Sequence, residues 1–225
     1  MNVPLAISSA FGSSLIPSIV LTAKTGNRRQ VHEKIDIFTR FNMIIAIPCA
    51  AGFIVLAKPL LDLLFFTENN TLGGVLLQMG AISVVFYNLS TVTNAVLQGL
   101  DNMMVPVKSA AISLVIHIIS LFLMMVVFKW GIYALIGSKI VFSLCMCIMN
   151  AHDIREACGY LQESRKTFVI PSIAGAVMAI LAWAVHFVLD TFIGGRIATL
   201  IALIVAVAVY AVVLLKMGGM SEKEL

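Results

Sequence analysis

The sequence predicts an all-α, polytopic transmembrane helix bundle of about seven spans. Three observations carry this. Of the 225 residues, 60% are apolar and only 12% are charged, against about 45–50% and about 25% in a soluble domain. The mean hydropathy of +1.03 belongs to a chain with too few polar residues to cover a soluble surface. The apolar residues also gather into continuous runs of about 20, the length that crosses a hydrocarbon core. A disordered chain would need low hydrophobicity and high charge, and is excluded. The net charge of +4 does not point to nucleic acid, because the Lys and Arg residues sit in short clusters between apolar runs.

The runs cover residues 3–23, 41–57, 74–97, 109–128, 131–151, 168–189 and 197–215. Each is continuous rather than alternating in ten-residue units, which argues against barrel strands. Backbone in lipid must bond to itself, so the spans are expected as helices. The first run is no secretory signal, since its basic cluster follows it instead of preceding it.

That cluster holds Lys24, Arg28, Arg29, Lys34 and Arg40, and the positive-inside rule places it in the cytoplasm. Alternation across seven spans then puts eleven of the fifteen basic residues inside and three outside, with Lys139 left within a span. The expected protein is multi-pass in the plasma membrane, its amino terminus outside and its carboxyl terminus cytoplasmic. The chain starts almost directly in apolar residues. The expectation is therefore that it forms the carboxyl-terminal part of a larger transporter, with a missing amino-terminal portion or a partner before it.

Between the first two spans, Val31, Ile35 and Phe38 repeat at helical spacing, and Asp36 precedes Arg40 as an i, i+4 pair. Residues 24–40 read as an amphipathic helix in the cytoplasmic interface or as a charged connector. Residues 58–66 begin with Lys58-Pro59, and Pro suits a first helical turn, so a short helix is expected on the outer side. Pro17 and Pro48 fall inside spans and favour kinks. The four cysteines read as free thiols. Cys145 and Cys147, two apart, point to different faces and make a poor metal pair.

Polar residues at membrane depth are costly and mark functional candidates. Lys139 lies about 12 Å past Gly131 at the helical rise per residue, too deep for easy snorkelling. Ser143 and Asn150 share its face. Lys139 reads either as a cationic cavity residue attracting phosphate or as a lysine bonded to neighbouring helix carbonyls. His117, with Ser113 and Ser120, reads as a protonatable gate or as a packed histidine bonded across helices. Ser83, Tyr87, Thr91, Asn94 and Gln98 fall on one stripe of the third span, as cavity lining or as helix–helix glue. His32, His152 and His186 are scattered; His186 has no acidic residue within a helical turn on its own face, and Asp190, at i+4, falls at the outer rim. Catalytic motifs such as G-x-S-x-G, H-E-x-x-H and the phosphate loop are absent from the sequence, so no catalytic residue, metal or cofactor is assigned.

Two stretches carry a family resemblance. They are Asn2-Val-Pro-Leu-Ala-Ile-Ser-Ser-Ala-Phe-Gly-Ser-Ser-Leu-Ile-Pro17 and Ala81-Ile-Ser-Val-Val-Phe-Tyr-Asn-Leu-Ser-Thr-Val-Thr-Asn-Ala-Val-Leu-Gln-Gly99, the latter followed by Val105-Pro-Val-Lys108. They resemble the stage V sporulation protein B group, polysaccharide exporter and lipid II flippase relatives within the multidrug-and-toxin extrusion superfamily. The resemblance implies helices eight to fourteen of a fourteen-helix flippase fold. It implies a lobe over residues 1–166, including the 24–40 segment, then two additional helices and a cytoplasmic tail over 167–225. It further implies alternating-access flipping of a lipid-linked sugar pyrophosphate for peptidoglycan or polysaccharide synthesis, with membrane lipids as partners and no nucleic acid. In relatives the two final helices can form a lipid-tail groove. Rival expectations are a multidrug or cation antiporter of the same superfamily and an inactive truncated fragment. An antiporter needs buried carboxylates, and no Asp or Glu falls in the interior of the seven spans.

Overall fold

A computed structural model describes residues 2–65 and 70–219, with side chains from Pro4 onward. Among these residues there is no strand, and seven helices are long and apolar enough to cross a membrane. In chain order the helices are α1 (Asn2–Lys24), α2 (Arg28–Val55), α3 (Ala57–Leu64), α4 (Thr71–Gly99), α5 (Met104–Phe122), α6 (Tyr133–Cys158), α7 (Ile170–Ile193) and α8 (Gly195–Lys216). A π-helical turn, Leu123–Val127, extends α5, and another, Arg165–Val169, leads into α7. The all-helical bundle expected from composition is the observed fold.

Two details differ from expectation. Residues from Arg28 to Val55 form one unbroken helix, so the amphipathic stretch is the first half of the second long helix. Nothing between Arg40 and Phe41 breaks the backbone ladder, and Pro48 is tolerated inside it. The short helix expected over residues 58–66 appears as α3 and ends at Leu64, while Phe66 lies outside the described residues, as do Met1 and Lys223.

The chain divides into two compact units. The first runs up to Met43 and resumes over Ile82–Glu163. Its core joins Leu15 and Ile19 of α1, Val31 and Ile35 of α2, Val92 and Val96 of α4, and Ile154 of α6. Small residues allow close helix approach, the usual device where lipid removes the hydrophobic drive between helices. At Gly99 a Cβ would lie 2.7 Å from the Cβ of Ile19. In contrast, α5 leaves Ile112, Val115, Ile118, Ile119 and Phe122 exposed, the side chains expected of a lipid-facing helix.

The second unit holds Ile44–Ala81 and the chain from Ser164 onward. Here α7 and α8 pack through Ala174, Ala182, Ala202 and Ala206, with Met178, Tyr210 and Leu214 completing the core. Tyr210 satisfies its hydroxyl by donating to the Ile44 carbonyl at 2.7 Å. The α7–α8 turn is made by Gly194 at φ +89°, a conformation that residues with a Cβ rarely adopt.

Candidate functional site

The first unit contains a cleft of about 320 Å³ lined by Tyr87, Leu114, His117, Leu135, Lys139 and Phe142. Helices α4, α5 and α6 each supply part of it. Lys139 is half-buried, and its Nζ lies 5.6 Å from the centre of the Tyr87 ring. Such a contact is worth about 0.5–2 kcal/mol, more when desolvated. Phe142 joins the wall, its ring 5.9 Å from Tyr87 and 5.8 Å from His117. None of the lining residues is acidic. An ammonium over an aromatic face, in a wall without carboxylates, suits an anionic oxygen group better than a cation.

His117 is held by its Nδ1, which donates to the Ser138 carbonyl at 2.9 Å. This bond joins α5 to α6, as the packed reading expects, and the same ring lines the cleft. Ser143 is fully buried, and its hydroxyl donates to Ile140 of its own helix at 3.0 Å. It is not among the cleft's lining residues.

Asn150 serves as glue. It is fully buried, and its amide nitrogen donates to Thr93 Oγ1 at 2.9 Å and Asn94 Oδ1 at 2.7 Å. The stripe read on the third span therefore divides by depth. Tyr87 faces the cleft, Asn94 holds α6, Ser83 is buried and Gln98 is half-buried. Thr91 returns its hydroxyl to the Tyr87 carbonyl at 2.9 Å.

Two features escaped the sequence reading. Phe142 is an ordinary apolar residue of its span, and nothing in a single sequence marks it as a cleft wall. Ser8, Asn42 and Asn88, all buried, meet across α1, α2 and α4. Ser8 contacts both amide oxygens, and Asn42 donates to the Asn88 carbonyl at 3.1 Å. Asn42 and Asn88 sit inside long apolar helices, and that depth was the available signal.

At the basic end of the same unit, the segment after α6 is tied to α2. Tyr160 donates to Asp36 Oδ1 at 2.5 Å, Arg40 Nη2 bonds Glu163 at 3.1 Å, and His32 Nε2 meets the Cys158 carbonyl at 2.9 Å. The Asp36 and Arg40 side chains, spaced for a mutual pair, thus both reach the segment beyond α6. Burial, first, and the Asp36 carboxylate beside it push the Tyr160 phenol above its ordinary range. All four cysteines are free thiols.

The second unit contains an apolar groove of about 400 Å³ along α2, α3, α7 and α8, with Pro48, Leu60, Met178, Leu203 and Tyr210 in its walls.

Seven helices long and apolar enough to cross a membrane, with Lys139 in a cleft whose lining carries no carboxylate, define a multi-pass membrane protein. Comparison gives the family: residues 1–203 match the lipid II flippase MurJ family, and the chain belongs to it. This is a family of transporters, not of catalytic enzymes. The chain is 26% identical over 155 residues to the probable lipid II flippase MurJ of Bdellovibrio bacteriovorus, covering 66% of this chain and 29% of that protein. It is 25% identical over 222 residues to the lipid II flippase MurJ of Bacillus subtilis, covering 96% of this chain and 40% of that protein. The chain thus spans less than half the length of either relative. The family shown is the flippase family named here, and the sporulation group is a narrower assignment than these comparisons carry.

Proposed function

We propose that this chain acts as the carboxyl-terminal lobe of a flippase for a lipid-linked sugar pyrophosphate of the peptidoglycan-precursor type, working against an amino-terminal lobe by alternating access. The observation that carries the reading is Lys139, an ammonium held at membrane depth over Tyr87 in a wall without carboxylates, in a chain of the flippase family. Lys139, His117 and Tyr87 would face the pyrophosphate path. Asn150 and Asn94 would keep α4 and α6 rigid behind it, with Thr91, Ser143 and Gln98 as helix polar groups rather than ligands. The groove of the second unit, walled by α2 and α3 as well as by the two final helices, would be a surface for an apolar lipid chain. The orientation proposed has the amino terminus outside and the basic α1–α2 connection in the cytoplasm, on the asymmetry of Lys and Arg. The sporulation-group resemblance would narrow the biological setting of the same reaction.

The test is Lys139→Met beside Lys139→Arg in the complete protein containing this segment, reconstituted with a polyprenyl-pyrophosphate-linked sugar. A charge-assisted bond to phosphate is worth about 1.5–3 kcal/mol. Loss of the cation should therefore slow translocation about tenfold or more at unchanged protein level, and Arg should restore most of it. Normal transport by Lys139→Met would make the residue structural.

A further inference from the structure

One hydrogen of His117 is fixed by its partner. Nδ1 faces the Ser138 carbonyl at 2.9 Å, and a carbonyl oxygen only accepts. Nδ1 therefore carries a hydrogen in either charge state of the ring. In the neutral ring the other nitrogen, Nε2, is then a bare acceptor. It becomes a donor only when the imidazole takes a second proton, a step that falls near neutrality for this side chain. Phe142 stands edge-on to the ring at 74°, and together with the Ser138 bond it holds the two nitrogens in their places. Among the described residues Nε2 makes no hydrogen bond, and the half-buried ring shares the cleft wall with Lys139 and Tyr87.

Nothing in that wall offsets a second cation. Lys139 of α6 and Tyr87 of α4 are the titratable groups that line the cleft with His117. On α5 itself, Ser120 donates to the His117 carbonyl at 2.9 Å and Ser113 faces the Met149 sulfur at 3.9 Å, so neither hydroxyl serves the ring. Asp153 of α6 takes a bond from Ser109 at 3.2 Å, about 12 Å along α5 from His117 at the helical rise. The empty cleft thus suits Lys139 as its cation. A disubstituted pyrophosphate brings a negative charge on each phosphate and no hydrogen of its own to donate. A bare Nε2 would set a lone pair against its oxygens, whereas a protonated Nε2 gives a charge-assisted bond.

We propose that His117 takes up a proton when a pyrophosphate group enters the cleft and releases it when that group leaves, so that the anion and one proton bind together. The proton comes from solvent and ends on Nε2, where it bonds a phosphate oxygen beside Lys139; no covalent bond of the ligand forms or breaks. The inference rests on the pyrophosphate reading above and adds to it a coupling to pH, with binding that strengthens as pH falls.

The test is calorimetric binding of a short-chain polyprenyl-pyrophosphate-linked sugar to the complete protein containing this segment. That ligand exchanges no proton near neutrality. Titrations between about pH 6 and about pH 8 are run in buffers of unequal ionisation heat. The unmodified protein should give a binding heat that varies with the buffer, which reports proton uptake, and an affinity that falls by up to about tenfold per pH unit as pH rises. His117→Gln places an amide donor near the Nε2 position at every pH. His117→Asn keeps a nitrogen near Nδ1 for Ser138 and offers no donor at Nε2. Both should lose the buffer dependence and the pH slope, the Asn variant binding about tenfold more weakly than the Gln variant. Lys139→Met should weaken binding at every pH and keep the proton uptake. A buffer-independent heat in the unmodified protein, or uptake retained by either His117 variant, would overturn the coupling and leave the pyrophosphate reading in place. Failure of the unmodified protein to bind the ligand would overturn both.

Discussion

Truncating Asn150 to Ala separates the two readings its place in the sequence allowed. The side chain is fully buried and gives both amide protons to α4. Hydrogen bonds between membrane helices average about 0.6 kcal/mol and reach about 1.7, so the two together are worth about 1–3 kcal/mol. The losses are unequal. Thr93 keeps its own donation to the Leu89 carbonyl at 2.9 Å, so its hydroxyl remains satisfied. Asn94 Oδ1 loses the amide donor it has at 2.7 Å; an unsatisfied buried acceptor costs about 1–3 kcal/mol, and the half-buried Asn94 belongs to the lower part of that range. The expected destabilisation is therefore about 2 kcal/mol, most of it assigned to Asn94. Asn150→Asp should be worse, since it puts a carboxylate against that same acceptor oxygen. Reversible unfolding in mixed micelles measures this, with Asn94→Ala and the double variant completing a cycle. If Asn150→Ala unfolds like the unmodified protein, or if the two single losses simply add, the Asn150–Asn94 bond does not hold α6 to α4.

Three further outcomes follow from the geometry. Gly99→Ala should destabilise the first unit by about 1–3 kcal/mol through overpacking, because the new Cβ would meet the Ile19 Cβ at 2.7 Å; unchanged thermal stability would contradict the close approach of α1 and α4. His117→Leu should cost about 0.6 kcal/mol for the lost bond to Ser138, and a loss several times larger would mean that the ring supports more than this contact. Tyr160 should give a pH signature: its phenol is raised above the ordinary value of 10.0, so the folded state holds that proton more tightly. Its contribution is full below that pH and declines as pH rises above it. Tyr160→Phe should flatten this alkaline decline in a denaturation series, and an unaltered slope would remove Tyr160 as its source.

Much of the fold was legible because a bilayer imposes simple rules. Length and continuity of apolar runs sufficed for seven helices, and its depth marked Lys139 as a candidate, which the fold places in the wall of a cleft. What stayed hidden depended on facing partners. The stripe from Ser83 to Gln98 is uniform along the sequence, yet Tyr87 meets a cleft and Asn94 meets Asn150 because α6 passes them at different depths. Asp36 and Arg40 have the spacing of a mutual pair, but Tyr160 and Glu163 reach them from more than a hundred residues away. The helix from Arg28 was divided in reading because its charge changes abruptly near Arg40, whereas backbone hydrogen bonding does not depend on that change.

The central claim is that the cleft serves a pyrophosphate-bearing lipid rather than a cation. The most direct measurement is translocation by the complete protein in proteoliposomes, comparing a polyprenyl-pyrophosphate-linked sugar with a lipophilic cation. The account predicts movement of the lipid-linked sugar across the bilayer and none of the cation. Cation efflux driven by a sodium or proton gradient, with the lipid-linked sugar left in its original leaflet, would contradict it.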